Sequence, residues 1–356
     1  MLDVNMKTRH LGQMRDYRKT LMTKPELRNL FLELTLRCNE RCLHCGSQCG
    51  DVESEELTVD QYRTFLQQVK EDMSTSGKML DITGGEPLLR KEFFDIMGVA
   101  HDLGFSWGMT SNATLIDDSI ARDLKKVGMG TISVSIDGLE QTHDEFRRTP
   151  GGYARAMKGI ESLIRVGFES VQVTTVVTHK SIRELDELFK IFNEMDIDSW
   201  RIVNMEPMGR AKQHPELILT KEDYQYLFEY IRNKRIEGEP VTYGCSHYLG
   251  MEYEREVRDW YYLCTAGLYT ASIAANGDIM ACLDIERRPE FVQGNILRDR
   301  FSDVWNNKFQ IFRRDLSDDN PTCSKCDQKE YCHGDSYHSW DFDKNEPMLC
   351  FKDILF

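Results

Sequence analysis

Long apolar runs are missing from this chain. None of its 356 residues belongs to a stretch able to span a bilayer, which argues against a membrane partner. A secretory signal is missing too: residues 1–25 are polar and charged, so the chain is expected to stay in the cytoplasm. Positive charge is scarce. Forty-five Lys and Arg against 59 Asp and Glu leave a net charge of −14, which repels a phosphate backbone and argues against nucleic acid as a partner. What the chain does have is cysteine, eleven in all, and in an acidic protein without a signal that number points to metal ligation over disulfides. Its length and 40% hydrophobic content suffice for two packed domains.

Residues 31–45 organise the rest. An alternating apolar run reads as a strand and ends in Cys38, Cys42 and Cys45, spaced C-x3-C-x2-C. Thiolates at that spacing can converge on one soft metal centre. Three of them on a four-iron cube would leave one iron open, where four cysteines usually close it. A three-cysteine zinc knuckle or a group of free thiols is the plainer alternative. Further strands are expected at 79–83, 105–110, 131–136, 171–178 and 200–205, alternating with helices at 58–73, 93–103, 116–127, 153–166 and 182–195. Successive βα units imply a parallel sheet with right-handed crossovers. Six units rather than eight suggest an α/β fold built as a partial (βα)6 TIM-like barrel. Chemistry in such barrels gathers at the carboxyl ends of the strands. There the chain puts its cysteines, then Gly84-Gly85-Glu86-Pro87, Ser111-Asn112, Ser135-Ile136-Asp137 and Met208-Gly209-Arg210.

C-x3-C-x2-C after the first strand and GGEP after the second resemble the radical S-adenosylmethionine (SAM) superfamily. The resemblance implies that Cys38, Cys42 and Cys45 ligate a [4Fe–4S] cluster whose open iron binds SAM. It places His44 near the adenine and lets Gly84 and Gly85 bring backbone close to the methionine end. Glu86 either bonds the amino group or fixes its turn. Ser111 and Asn112 would serve the ribose, and Ser135 and Arg147 the SAM carboxylate, for which a guanidinium fork is suited. A flavodoxin- or ferredoxin-type electron donor is implied as well.

Seven cysteines lie beyond residue 240. Cys264, an Asn276-Gly277 hairpin signal and Cys282 precede Cys323-x2-Cys326-x5-Cys332 and a final Cys350. This resembles the SPASM extension, a small cysteine-rich C-terminal iron–sulfur domain that carries auxiliary clusters. Cys323, Cys326, Cys332 and Cys350 would hold the outer cluster. The family pattern wants another cysteine where this chain has Ser336. An inner cluster would therefore rest on Cys264, Cys282 and Cys245, its fourth iron open or bound by Asp335, His333 or substrate; the alternatives are no inner cluster, or zinc in the tail. Cys49 reads as a spare buried thiol. The expected partition is a polar lead-in at 1–27 with one helix near 15–22, the barrel at 28–215, a bridging helix and linker at 216–240, and the SPASM-like domain at 241–356.

SPASM-bearing relatives modify peptides, sulfatases or tetrapyrroles. The leading expectation is a maturase that installs a crosslink or related oxidation in a ribosomally made peptide. Only about 27 residues precede the first strand, so a leader peptide would need a separate recognition protein or direct docking. Sulfatase maturases carry Asp directly after the Cys282 position, where Leu283 stands here. The competing expectations are a sulfatase-type or tetrapyrrole enzyme and, from another class, an electron-transfer or zinc-scaffold protein.

Overall fold

The structure, a computed structural model, describes residues 4–52 and 54–356. The barrel alternates strands and helices: β1 Asn29–Glu33, α2 Val59–Met73, β2 Met79–Thr83, α3 Phe93–Asp102, β3 Ser106–Ser111, α4 Asp118–Lys126 and β4 Met129–Ser135, after a first helix α1 Val4–Thr23. It continues through α5 Glu140–Arg147, α6 Gly152–Val166, β5 Val171–Val177, α7 Leu185–Glu194 and β6 Ser199–Asn204. β1 to β6 pair in parallel and in sequence order, the expected partial barrel. Alternation does this locally: in β6 Trp200, Ile202 and Asn204 point into buried space while the residues between them are half-buried. Capping sets the helix starts, as in α2, where Thr58 and Gln61 close a reciprocal capping box.

The sheet does not stop at six strands. Past the bridging helix α8 Lys221–Ile236, β7 Val241–Tyr243 adds in parallel to β6. After the short α9 Gly250–Tyr253, β8 Thr270–Ile273 pairs in parallel with β1 on the opposite edge, and β9 Asp278–Met280 and β10 Gly294–Asn295 extend it antiparallel. The result is one ten-stranded sheet that crosses the boundary expected at residue 241. Three of the tail cysteines, Cys245, Cys264 and Cys282, thereby come to line one cavity with the cysteines after β1. Among the described residues no helix is long and apolar enough to cross a membrane.

Two helices also differ from what the sequence predicts. The lead-in is a 20-residue helix, longer than expected, because Leu11, Met14, Arg18 and Leu21 recur at helical spacing and are buried. Leu11 and Met14 pack on Tyr248, Tyr261 and Tyr262 of the tail, and Arg18 pairs with Asp315. Leu11→Ala is expected to lower stability by about 2–5 kcal/mol, read as a shift in the urea midpoint. The second difference is α5, which the sequence reading left as loop. Leu139 N–H and the Thr142 hydroxyl anchor its start to the Glu184 carboxylate, a partner too far along the chain for local patterning to reveal.

Candidate active site

The cysteine loop after β1 is held from three sides. From the β2 turn, Gly85 N–H donates to the Thr35 carbonyl at 2.8 Å and Glu86 N–H to that of Arg37 at 2.9 Å. A Cβ at Gly84 or Gly85 would run into those same two carbonyl oxygens, and Gly84 has φ +138°. The two glycines are thus demanded first by the packing of one loop on another, before any ligand is considered. From α5, the carbonyls of Arg147 and Phe146 accept Arg41 N–H at 3.2 Å and Leu43 N–H at 2.9 Å. From the turn after β6, Arg210 donates to the Cys42 and Cys49 carbonyls, each at 2.8 Å, and its own N–H reaches that of Cys45. Arg210 was singled out in the sequence only by position; its clamping role spans about 160 residues of chain, beyond the reach of motif reading.

Cys38, Cys42 and Cys45 face one cavity of about 550 Å³. Gly84, Gly85, Ser111, Asn112, Ser135 and Arg147 share its wall. His44 lies there too, stacked on Phe146 with ring centroids 4.6 Å apart, and burial draws its pKa down to about 4, so the ring is neutral. Glu86 is the exception. It is fully buried away from the wall, accepting hydrogen bonds from Ser111 Oγ and from the Asn112 and Leu88 amides. Of its two expected roles, fixing the turn is the one its contacts serve; burial raises its carboxyl to about 7.

Arg147 is also committed within the protein. Its Nε reaches Asp137 and its Nη1 reaches Glu40, each at 2.7 Å, and both carboxylates are buried. Burial alone would raise the Asp137 carboxyl, but the Arg147 guanidinium together with His44, His143 and the Val176 amide outweighs it and holds the group below its ordinary value. Only Nη2 of Arg147 is without a protein partner among the described residues. Neither Glu40 nor Asp137 carried a role in the sequence reading. Behind them His143 accepts the Asp137 N–H at Nδ1, which requires a neutral ring, and burial pushes its pKa down to about 4. Unfolded, the ring titrates near 6.5, so between 6.5 and about 4 the unfolded chain binds the extra proton and stability falls as pH falls. His143→Asn is expected to flatten that acid limb in urea midpoints taken across the window.

Do these residues fit a cluster and SAM? Three thiols converge on a roomy cavity, and two receive amide N–H bonds, Cys38 from Glu40 at 3.4 Å and Cys45 from Cys49 at 3.3 Å. Such bonds to sulfur are the second shell of an iron–sulfur site. Burial raises the Cys38 thiol to about 11, while the Cys49 thiol and Arg210 draw Cys45 down to about 6. Cys49 itself is buried at the cavity wall, as a spare thiol would be. A zinc ion would hold tetrahedral thiolates about 3.8 Å apart. Among the described residues, the one triad of His, Cys, Asp or Glu ligand atoms lying within 4.8 Å contains no cysteine. The donor set fits a cube better than a single ion.

The tail completes the cavity. Cys245, Cys264 and Cys282 line the same cavity, as do Asp284 and His338. Ser336, at the position of the missing cysteine, is fully buried and bonds the Ser246 carbonyl, so it offers the cavity nothing. The two side chains expected as a fourth ligand are elsewhere: His333 turns to Asp315, and Asp335 accepts from His247 and the Tyr248 amide. Asp284, with Oδ2 3.8 Å from Cys282 Sγ, is the non-cysteine group that does stand near. Cys323, Cys326, Cys332 and Cys350 line a second, smaller pocket, where the Gln328 amide reaches Cys326 Sγ at 3.4 Å.

Comparison with known proteins agrees with this geometry. Residues 32–192 match the radical SAM superfamily model, and residues 264–327 match SPASM, an iron–sulfur cluster-binding domain. An AdoMet-dependent heme synthase of Methanosarcina barkeri is 28% identical over 321 residues, 85% of this chain and 89% of that protein. Mycofactocin maturase MftC of Mycolicibacterium smegmatis is 28% identical over 309 residues, 85% of this chain and 76% of its own. Among solved structures, Streptococcus suis SuiB bound to S-adenosylmethionine superposes with a TM-score of 0.70 at 21% identity, over 88% of this chain and 74% of that one. With cysteines, turn and tail agreeing, the chain carries a radical SAM domain followed by a C-terminal SPASM domain, and the cofactors of these domains are SAM and [4Fe–4S] clusters.

Proposed function

We propose that the enzyme takes a hydrogen atom from carbon in a ribosomally made peptide and installs a crosslink or related oxidative modification. The observation that carries this reading is the single cavity lined both by Cys38, Cys42 and Cys45 and by Cys245, Cys264 and Cys282. Held by Cys38, Cys42 and Cys45 and reduced by a flavodoxin- or ferredoxin-type donor, a cluster with SAM would supply a 5′-deoxyadenosyl radical able to attack an unactivated C–H bond. Oxidative crosslinking removes a further electron and a proton from the substrate, and a cluster held by Cys245, Cys264 and Cys282 would be the acceptor for that electron. In this assignment Cys38, Cys42 and Cys45 hold the catalytic cluster. Ser111, Asn112, Ser135, His44 and the free Nη2 of Arg147 face SAM. Cys245, Cys264 and Cys282 hold the inner auxiliary cluster, and Cys323, Cys326, Cys332 and Cys350 the outer one.

A peptide substrate is supported by the likeness to MftC and to SuiB, which has been crystallised bound to the precursor peptide SuiA. The test is anaerobic turnover of reconstituted, reduced protein. Formation of 5′-deoxyadenosine that accelerates with the peptide encoded beside the gene, together with loss of hydrogen from that peptide by mass, is expected. No SAM cleavage by protein with intact clusters would instead favour an electron-transfer role.

A tetrapyrrole substrate is the second reading. It is favoured by the heme synthase relative and by Arg201, a guanidinium on the cavity wall that bonds Thr174 Oγ1 at 3.1 Å. Burial pulls the Arg201 guanidinium pKa below its ordinary value against the nearby charges of Cys245, Asp284 and Asp81, so a substrate carboxylate would supply it with a closer counter-charge. Turnover with an iron porphyrin bearing propionates, and none with peptide, would select this reading.

A further inference from the structure

We propose that Glu206, His247 and His338 form a mononuclear binding site for a divalent transition-metal ion in the cavity wall, separate from all the cysteine sets. Their ligand atoms are the only triad of this kind among the described residues, all within 4.8 Å of one another. Glu206 lies just past β6, His247 follows β7, and His338 belongs to the tail, so three distant segments converge on one point.

The surroundings are those of a ligand set. His247 has its Nδ1 on Asp335 Oδ2 at 2.5 Å, the carboxylate–histidine arrangement that fixes the orientation of a metal-binding imidazole. Asp335 is fixed in turn by the Tyr248 amide at 2.9 Å. Glu206 is oriented by Asn204, whose Nδ2 reaches Oε1 at 2.7 Å and whose Oδ1 accepts the Tyr243 hydroxyl. The remaining ring nitrogen of His247 meets Glu206 Oε1 at 2.5 Å, the close approach expected of two ligands with no ion between them. A plain ion pair would account for that contact. It would not account for Glu206 Oε2, which is buried without a hydrogen-bond partner in a side chain only 9% exposed, nor for a second imidazole beside it.

Two imidazoles and a carboxylate suit Fe²⁺, Co²⁺ or Zn²⁺ rather than Mg²⁺ or Ca²⁺, which prefer oxygen. Glu206 and His338 both line the cavity, so the ion's open positions would face it and take water or a substrate oxygen. The site stands whether the substrate is a peptide or a tetrapyrrole.

Cobalt is the probe. Protein with its iron–sulfur clusters reconstituted anaerobically, then stripped of loose metal by chelator and desalting, is titrated with Co²⁺. One equivalent beyond the cluster metal is expected, with ligand-field bands and no thiolate-to-cobalt charge transfer. His338→Ala and Glu206→Gln should each weaken binding more than about a hundredfold, beyond the cost of losing an outer-shell partner, with cluster iron unchanged. His338 is half-buried at the cavity wall, so its variant carries the test should Glu206→Gln fail to fold. Absence of the extra equivalent, its retention in His338→Ala, or a thiolate charge-transfer band would each overturn the proposal.

Discussion

Arg147→Met is expected to lower stability by roughly 3–5 kcal/mol, the cost of removing one partner from a buried charge network. The guanidinium lies between two carboxylates, Glu40 and Asp137, whose side chains are 1% and 0% exposed. Without it both are left buried and uncompensated, and neither can turn to solvent. The damage would also reach the cysteine loop, since Glu40 lies between Cys38 and Cys42 and the loop amides of Arg41 and Leu43 rest on the end of α5. Urea midpoints measure the first effect and iron content the second. Combining Arg147→Met with Glu40→Gln and Asp137→Asn should recover much of the stability, because the charges that needed compensation are gone. If the triple variant folds but its SAM affinity stays low, Arg147 has a ligand-binding duty besides its structural one. Recovery of affinity together with stability would leave Arg147 only the structural duty.

Cys42→Ala is expected to abolish 5′-deoxyadenosine formation, a fall of more than about a hundredfold, since loss of a mere outer-shell partner already costs 10- to 100-fold. Cys42 is the most enclosed of the three loop thiols, 8% exposed, and its carbonyl is gripped by Arg210. The loop scaffold should therefore survive while the ligand set falls to two. Iron per chain should drop by about four atoms, one cube, while the pocket formed by Cys323, Cys326, Cys332 and Cys350 keeps its own. Cys323→Ala gives the complementary pattern, with iron lost from the tail and SAM still bound. Retention of SAM cleavage by Cys42→Ala protein would remove the radical chemistry from this loop altogether.

What could be read from the chain and what could not divide along a physical line. The β1–β6 order and the site's place at the strand ends were legible because each βα unit carries its own periodicity and its own stop. Gly104 and Gly128, for instance, follow α3 and α4 at positive φ. The strands β7 and β8, which flank the six-stranded core, were not legible, because strands of three and four residues have too little alternation to register. α5 was missed for want of a local signal at its start. Glu206 and His247 escaped notice because neither sits in a motif, and their contact joins residues 41 apart in sequence. The glycines of the β2 turn were recognised correctly as a motif, yet their first constraint, the carbonyls of Thr35 and Arg37, lies on another loop.

Sheet order also bears on how the polypeptide is made. β1 is among the earliest strands to leave the ribosome, yet one of its two neighbours, β8, is paired through Asn29 and Thr270 and emerges some 240 residues later. Until then a nascent chain exposes an apolar, unpaired strand beside a loop of reactive thiols, a hazard for aggregation and misoxidation alike. Assembly of the metal centres is thereby tied to completion of synthesis. Truncations ending before residue 270 should accumulate as insoluble, iron-poor material rather than as a free-standing barrel.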